Sequence, residues 1–434
     1  MVSVWSASPA WADSGSGAIA AASWLQVADS QNVAVGAYGL SINNGGITEP
    51  TVGAAALITH WLYGAFQTII GMALWLLQNV LTFEWLSVIS RPLEIVGAQL
   101  SRLALSPGVI VAVGTIAAAF IAITMARGNM SKAGAQIGTA VLLAFLAVSL
   151  ANKPIAELVG PTGLLAQGRD IGIELSTALA PGGQRSGPQA VQTITSSLAD
   201  NFARVPTMMW NFGANLDSAQ YNCGQVWSAA IRAGDIDAVK DRVQQGCPGG
   251  TQLHDYAMNS ASNQLTFGFL ALVFALAVLV VFGYLCFYIV VLALSALFWA
   301  MVAVVAAIAG LIPGPAQTLA VKAALDAIFS WLGMAAYVGI AGVVGALATA
   351  MFTAVGSDMM AMPLVTMLLV AVFLALRRVR AGLVSVRDRS ATKAARVAAG
   401  AGSAPTSSQD KDSRPPAESA SALYRLDPLT AVPT

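Results

Sequence analysis

The chain has 434 residues; 56% are hydrophobic, 10% are charged, and the formal net charge is +1. Such a balance lacks the basic excess of a nucleic-acid-binding domain. With 3 Cys and 2 His there is too little material for a disulfide scaffold or a Cys/His metal domain. The abundance of Ala and Gly suits helices packed closely in lipid. The expected fold class is all-α: a polytopic α-helical membrane protein with about seven transmembrane helices, amphipathic interfacial helices and one large polar insert.

Residues 1–52 contain no Lys or Arg; their acids are Asp13, Asp29 and Glu49. They read as a flexible polar segment rich in Gly, Ser and Asn. Ala10-Trp11-Ala12 has the A-x-A form of a signal-peptidase site, but no apolar core precedes it. A residual signal sequence and a chance match both stay open.

The first membrane region is 53–151. Residues 53–81 form one span, with His60 as an interfacial polar residue. Residues 83–105 are interrupted by Glu84, Arg91, Pro92, Glu94 and Arg102 and read as an amphipathic surface helix. Spans two and three are 107–126 and 133–151. Gly134 and Gly138 form a GxxxG that lets another helix approach closely.

Residues 152–264 form the polar insert, with a helix expected from about 190 to 212. Arg232, Asp235, Asp237, Lys240, Asp241 and Arg242 make a mixed-charge, solvated face. Cys223 and Cys247 bracket this face; they would bond in an oxidising compartment and stay as thiols in the cytoplasm.

The second membrane region is 265–376. Leu265 to Ile312 contains no charged residue. As one helix it would be roughly 70 Å long against about 30 Å of bilayer core. Two spans joined by a tight turn near Gly283 are therefore expected, with Phe282, Tyr284, Phe287 and Tyr288 at the interface. Pro313 and Pro315 end the fifth span. An amphipathic helix carrying a Lys322–Asp326 surface pair follows, then spans six and seven at 331–353 and 359–376. Ala335/Gly339 and Ala341/Gly345 repeat the small-xxx-small spacing.

Residues 377–434 form a tail that is basic and then disordered. Its cytoplasmic anchor is Arg377, Arg378 and Arg380, with Arg387, Arg389, Lys393 and Arg396 beyond. The charge rule places this tail in the cytoplasm and the Lys/Arg-free N-terminus outside. With seven spans the insert would then be cytoplasmic, which conflicts with a Cys223–Cys247 bond.

No GxxxxGK[ST], HExxH or GxSxG sequence is present, and the spans hold almost no ionisable residues at depth. The expectation is no catalytic, cofactor-binding or metal-ligating residue, no cofactor, and a passive pore, scaffold or assembly role; the alternative is a small-molecule transporter or permease. The Gly/Ser-rich leader, early spans, polar insert, apolar hairpin and the runs FARVPTMMWNFGANLD (202–217) and IPGPAQTLAVKAALDAIFSWLG (312–333) resemble TrbL-like conjugal-transfer proteins. These are polytopic inner-membrane subunits of type IV secretion systems. The resemblance implies a channel or scaffold subunit in the cell membrane. Its implied partners are other secretion-machine subunits, partner ATPases, membrane lipids, further copies of itself and the transferred DNA or protein. It also implies an insert facing the exterior.

Overall fold

The computed structural model describes residues 25–45, 49–104, 106–130, 163–178, 188–259, 261–310, 315–355 and 360–398, with a few positions between 133 and 141 and at 312. Among these the architecture is helical, and the one extended pairing is an isolated bridge between Ala28 and Ala34. Among the described residues, five helices are long and apolar enough to cross a membrane.

Helix α1 (Pro50–Thr82) opens on a proline, whose missing N–H costs nothing at the first turn. It ends at Phe83 in the left-handed conformation, and α2 (Glu84–Ala104) starts at once. α2 runs straight through Pro92 and turns Leu86, Ser90 and Gly97 inward at helical spacing. Its second apolar stripe, Val88, Ile95, Val96 and Leu103, stays exposed. The amphipathic segment is therefore a helix with one face on the protein and one apolar face left exposed. α3 (Pro107–Ala126) buries only Ala117.

The central element corrects the expected hairpin. α10 (Ala261–Ala309) is one helix of 49 residues. Its buried positions, Phe267, Ala271, Phe274, Val278, Phe282, Leu285, Ile289, Ala293 and Ala296, form one stripe at helical spacing that passes Gly283 without a phase shift. A turn there would leave several N–H and C=O groups unpaired in an apolar setting. Gly283 alone does not offset that cost.

The next expected break is also absent. The segment from 316 to 330 and the sixth span form one helix, α11 (Pro315–Val355), which again begins on a proline. In it Asp326 is buried, while Lys322 is exposed, so the two do not share the expected solvated face. The basic tail likewise continues its span as α12 (Ala361–Ala398).

α10 packs against α1, α11 and α12. Tyr288 stacks on Tyr337, Leu292 meets Gly333, and the Ser295 and Ser330 hydroxyls lie 3.5 Å apart, so α10 and α11 are antiparallel. Phe373 meets Tyr284 and Arg380 covers Tyr288, so α12 runs parallel to α10. α4 (Leu164–Ala178) runs parallel to α11: Gly168 lies against Trp331, and Gly172 against Ala335 and Val338.

The remaining helices are α5 (Pro188–Ala199), α6 (Val205–Phe212), α7 (Gly224–Arg232), α8 (Val239–Gly246) and α9 (Gly250–Asn259). A π-turn, Asp200–Arg204, joins α5 to α6, so the helix expected at 190–212 is continuous, and every residue from 201 to 212 is buried. α6 ends at Gly213, whose φ of 66° is the left-handed C-cap that favours glycine. α6 to α9 form a cap over the starts of α1 and α10. Residues 25–45 are part of it: Val27, Val33, Val35, Tyr38, Leu40 and Ile42 are buried. Within the expected flexible polar segment, residues 25–45 are thus a folded strap, and residues 1–24 lie outside the described residues.

Candidate functional site

The cap is clamped by an ion cluster that joins three distant stretches of chain. Arg204, in the π-turn, donates from Nη1 to Asp29 Oδ2 at 2.7 Å; their side chains are 1% and 0% exposed. From Nε and Nη2 it donates to the two oxygens of Asp217 at 2.7 and 3.0 Å. The same guanidinium reaches the Ser228 hydroxyl and the Gly224 carbonyl and lies 5.0 Å over the Trp227 ring. A buried cation is tolerable only with this density of acceptors. Burial disfavours the charged form, but Asp217 and Asp29 more than offset it and raise the Arg204 pKa.

Asp29 is equally saturated. It accepts from the N–H of Gln31 at 2.9 Å, the N–H of Val33 at 2.7 Å and the Tyr38 hydroxyl at 2.7 Å. Burial and the neighbouring carboxylate push the Tyr38 phenol well above its usual range. Tyr38 also packs on Trp227 at 5.1 Å. The strap is then tied along its length. Ser30 N–H donates to Asp200, Arg232 to the Gln31 carbonyl, and Gln67 of α1 to the carbonyls of Val35 and Tyr38. Asn211 accepts from Ser41 N–H and donates to the Gly39 carbonyl. Burial raises the Asp200 carboxyl from 3.8 to about 6, against the lowering effect of its bonds to Ser30.

Cys223 and Cys247 form a disulfide with Cα atoms 5.5 Å apart, which ties the start of α7 to the end of α8. Next to it Gly224 is required for close approach, because an added Cβ would collide with the Asp217 carboxylate and crowd Arg204. Cys286 is a buried free cysteine in α10.

Of the glycines singled out for helix packing, Gly339 lies against Leu175 of α4 and Gly345 against Leu198 of α5. At Gly134 and Gly138 an added Cβ meets nothing within 4 Å among the described residues. Most of the 133–151 span lies outside those residues.

Arg377 and Arg380 sit against aromatic rings at the other end of the bundle. Arg377 lies 6.0 Å over Phe373, and Arg380 lies 4.5 Å over Tyr288. Phe83 packs on Trp85 at 6.3 Å, Arg169 lies 5.8 Å over Phe83, and Trp331 lies against Gly168. From Phe267, under the cap's Trp210, to Tyr288 the helix rises about 32 Å, close to the bilayer core.

Sequence reasoning missed the Arg204 cluster. Its available signal was a lone Arg in the apolar run FARVPTMMWNF, which needs buried anions, and Asp29 in a segment without a cation of its own. Among the described residues no group of three His, Cys, Asp or Glu is placed to hold a metal. No known family pattern, curated protein or solved structure matches this chain.

Proposed function

We propose that the chain is a structural channel or scaffold subunit of a conjugative or type IV secretion machine in the cell membrane, working through assembly contacts with no chemistry of its own. The observation that carries this reading is α3. It is 20 residues long, strongly apolar, and buries one residue against the rest of the chain. A span so little covered by its own chain suits a subunit completed by neighbours. The clamped cap supplies a rigid platform for such neighbours at one end of the bundle.

A second part of the proposal is sidedness. α10, α11 and α12 connect the cap to the basic helix end, and three crossings carry them to opposite faces. A disulfide belongs to an oxidising exterior and a cluster of arginines to the cytoplasm. In this reading α10 crosses once, so the insert is exterior and the basic tail cytoplasmic. Residues 25–45 share the cap's side, because Asp29 and Arg204 are in direct contact.

The test is deletion of the gene from its genetic element. Loss of DNA or protein transfer, with growth and solute uptake unchanged, is the expected result. Continued transfer with loss of uptake of a solute would establish the permease alternative.

A further inference from the structure

Where the apolar part of α12 ends, three helices build a plate of rings. Tyr284 and Tyr288 of α10 lie 4.5 Å apart, Tyr288 stacks on Tyr337 of α11 at 5.7 Å and 16°, and Tyr284 meets the edge of Phe373 of α12 at 5.3 Å. Arg380 rests on this plate over Tyr288, and Arg377 rests over Phe373. Both arginines and Arg378 are exposed. A guanidinium stacked on a ring keeps its N–H donors in its own plane, directed outward in a fork that matches a phosphate. The Tyr284 hydroxyl is covered and lies beside Tyr288 and Arg380.

The surface next to the plate is apolar. Phe287 is 60% exposed, and Val370 and Leu374 of α12 are about half exposed. An occupant must therefore bring an anionic head to the arginines and an apolar tail to these side chains. We propose that this site holds the phosphodiester of an anionic glycerophospholipid, with Arg380 as its principal donor. The site rests on α10 to α12 crossing the membrane. It goes beyond the general attraction of basic tails to anionic lipid, because Arg380 is held 4.5 Å over the Tyr288 ring, closer than Arg377 is to Phe373 at 6.0 Å.

The test uses the full chain purified in detergent. Phosphatidylglycerol, phosphatidylcholine and inorganic phosphate are added separately, and bound lipid and melting temperature are read by native mass spectrometry and thermal denaturation. Phosphatidylglycerol should be retained about tenfold over phosphatidylcholine. Arg380→Gln should abolish that preference, Arg380→Lys should keep part of it, and Arg389→Gln should leave it unchanged. Equal retention of the two lipids, or an intact preference in Arg380→Gln, would overturn the proposal. So would protection by inorganic phosphate alone, which would make the site one for free phosphate. Carbonate washing of membranes is the separate check: release of the protein would refute the membrane reading itself, whatever the lipid result.

Discussion

Replacing Arg204 by Met should release the strap. The change keeps most of the apolar stem but leaves Asp29 fully buried without its cation, holding only the N–H groups of Gln31 and Val33 and the Tyr38 hydroxyl. Breaking a buried pair from one side costs about 3–5 kcal/mol. Asp217, 36% exposed, can turn to water and adds little. At about 3 kcal/mol the opening equilibrium of residues 25–45 rises by roughly two orders of magnitude. Hydrogen exchange of that segment in detergent reads this directly, since exchange follows the local opening free energy. Asp29→Asn should also loosen the strap, and the double variant should recover about 2 kcal/mol of the summed losses, because the two side chains touch. Exchange in Arg204→Met within about threefold of the native chain would refute the reasoning, as would strictly additive effects.

Replacing Cys223 and Cys247 together by Ser opens a loop of 24 residues' separation and should cost the cap about 3 kcal/mol; an unchanged melting temperature would count against this. Gly224→Ala should displace the Asp217 carboxylate and cost about 2 kcal/mol in a melt. It should add nothing on top of Asp217→Ala; a further loss there would point to a different clash. Asp200, raised to about 6, stabilises the fold fully below the ordinary carboxylate range and loses that contribution as pH rises through 6. Asp200→Asn should therefore stabilise the cap at pH 7.5 by about 1–3 kcal/mol and leave pH 4 nearly unchanged. Equal effects at the two pH values would contradict this.

The helical fold was legible from hydropathy because apolar runs of this length leave the backbone only itself to bond with. Where those runs end was less legible. Length arithmetic demanded a turn near Gly283, yet the buried stripe from Phe267 to Ala296 keeps one helical phase, and that phase is visible only once the partner helices are known. Tyr284 and Tyr288, expected at a helix turn, instead pack against rings of α11 and α12 along an unbroken helix. The Arg204 cluster was illegible because the partners of Arg204 lie 13 to 175 positions from it, so no local pattern joins them. Residues 25–45 look polar as a string, and their six buried apolar side chains gain meaning only against α1 and α6.

The most direct test of the account is the sidedness of cap and tail in intact cells. In a Cys286→Ser background the disulfide leaves no free thiol, so one reporter cysteine can be placed at a time. Ala233→Cys, on the exposed surface after α7, should react with a membrane-impermeant maleimide added outside. Arg389→Cys, in the exposed basic part of α12, should react only after lysis. Labelling of both from outside, or of neither, would place cap and tail on one side and contradict the three crossings.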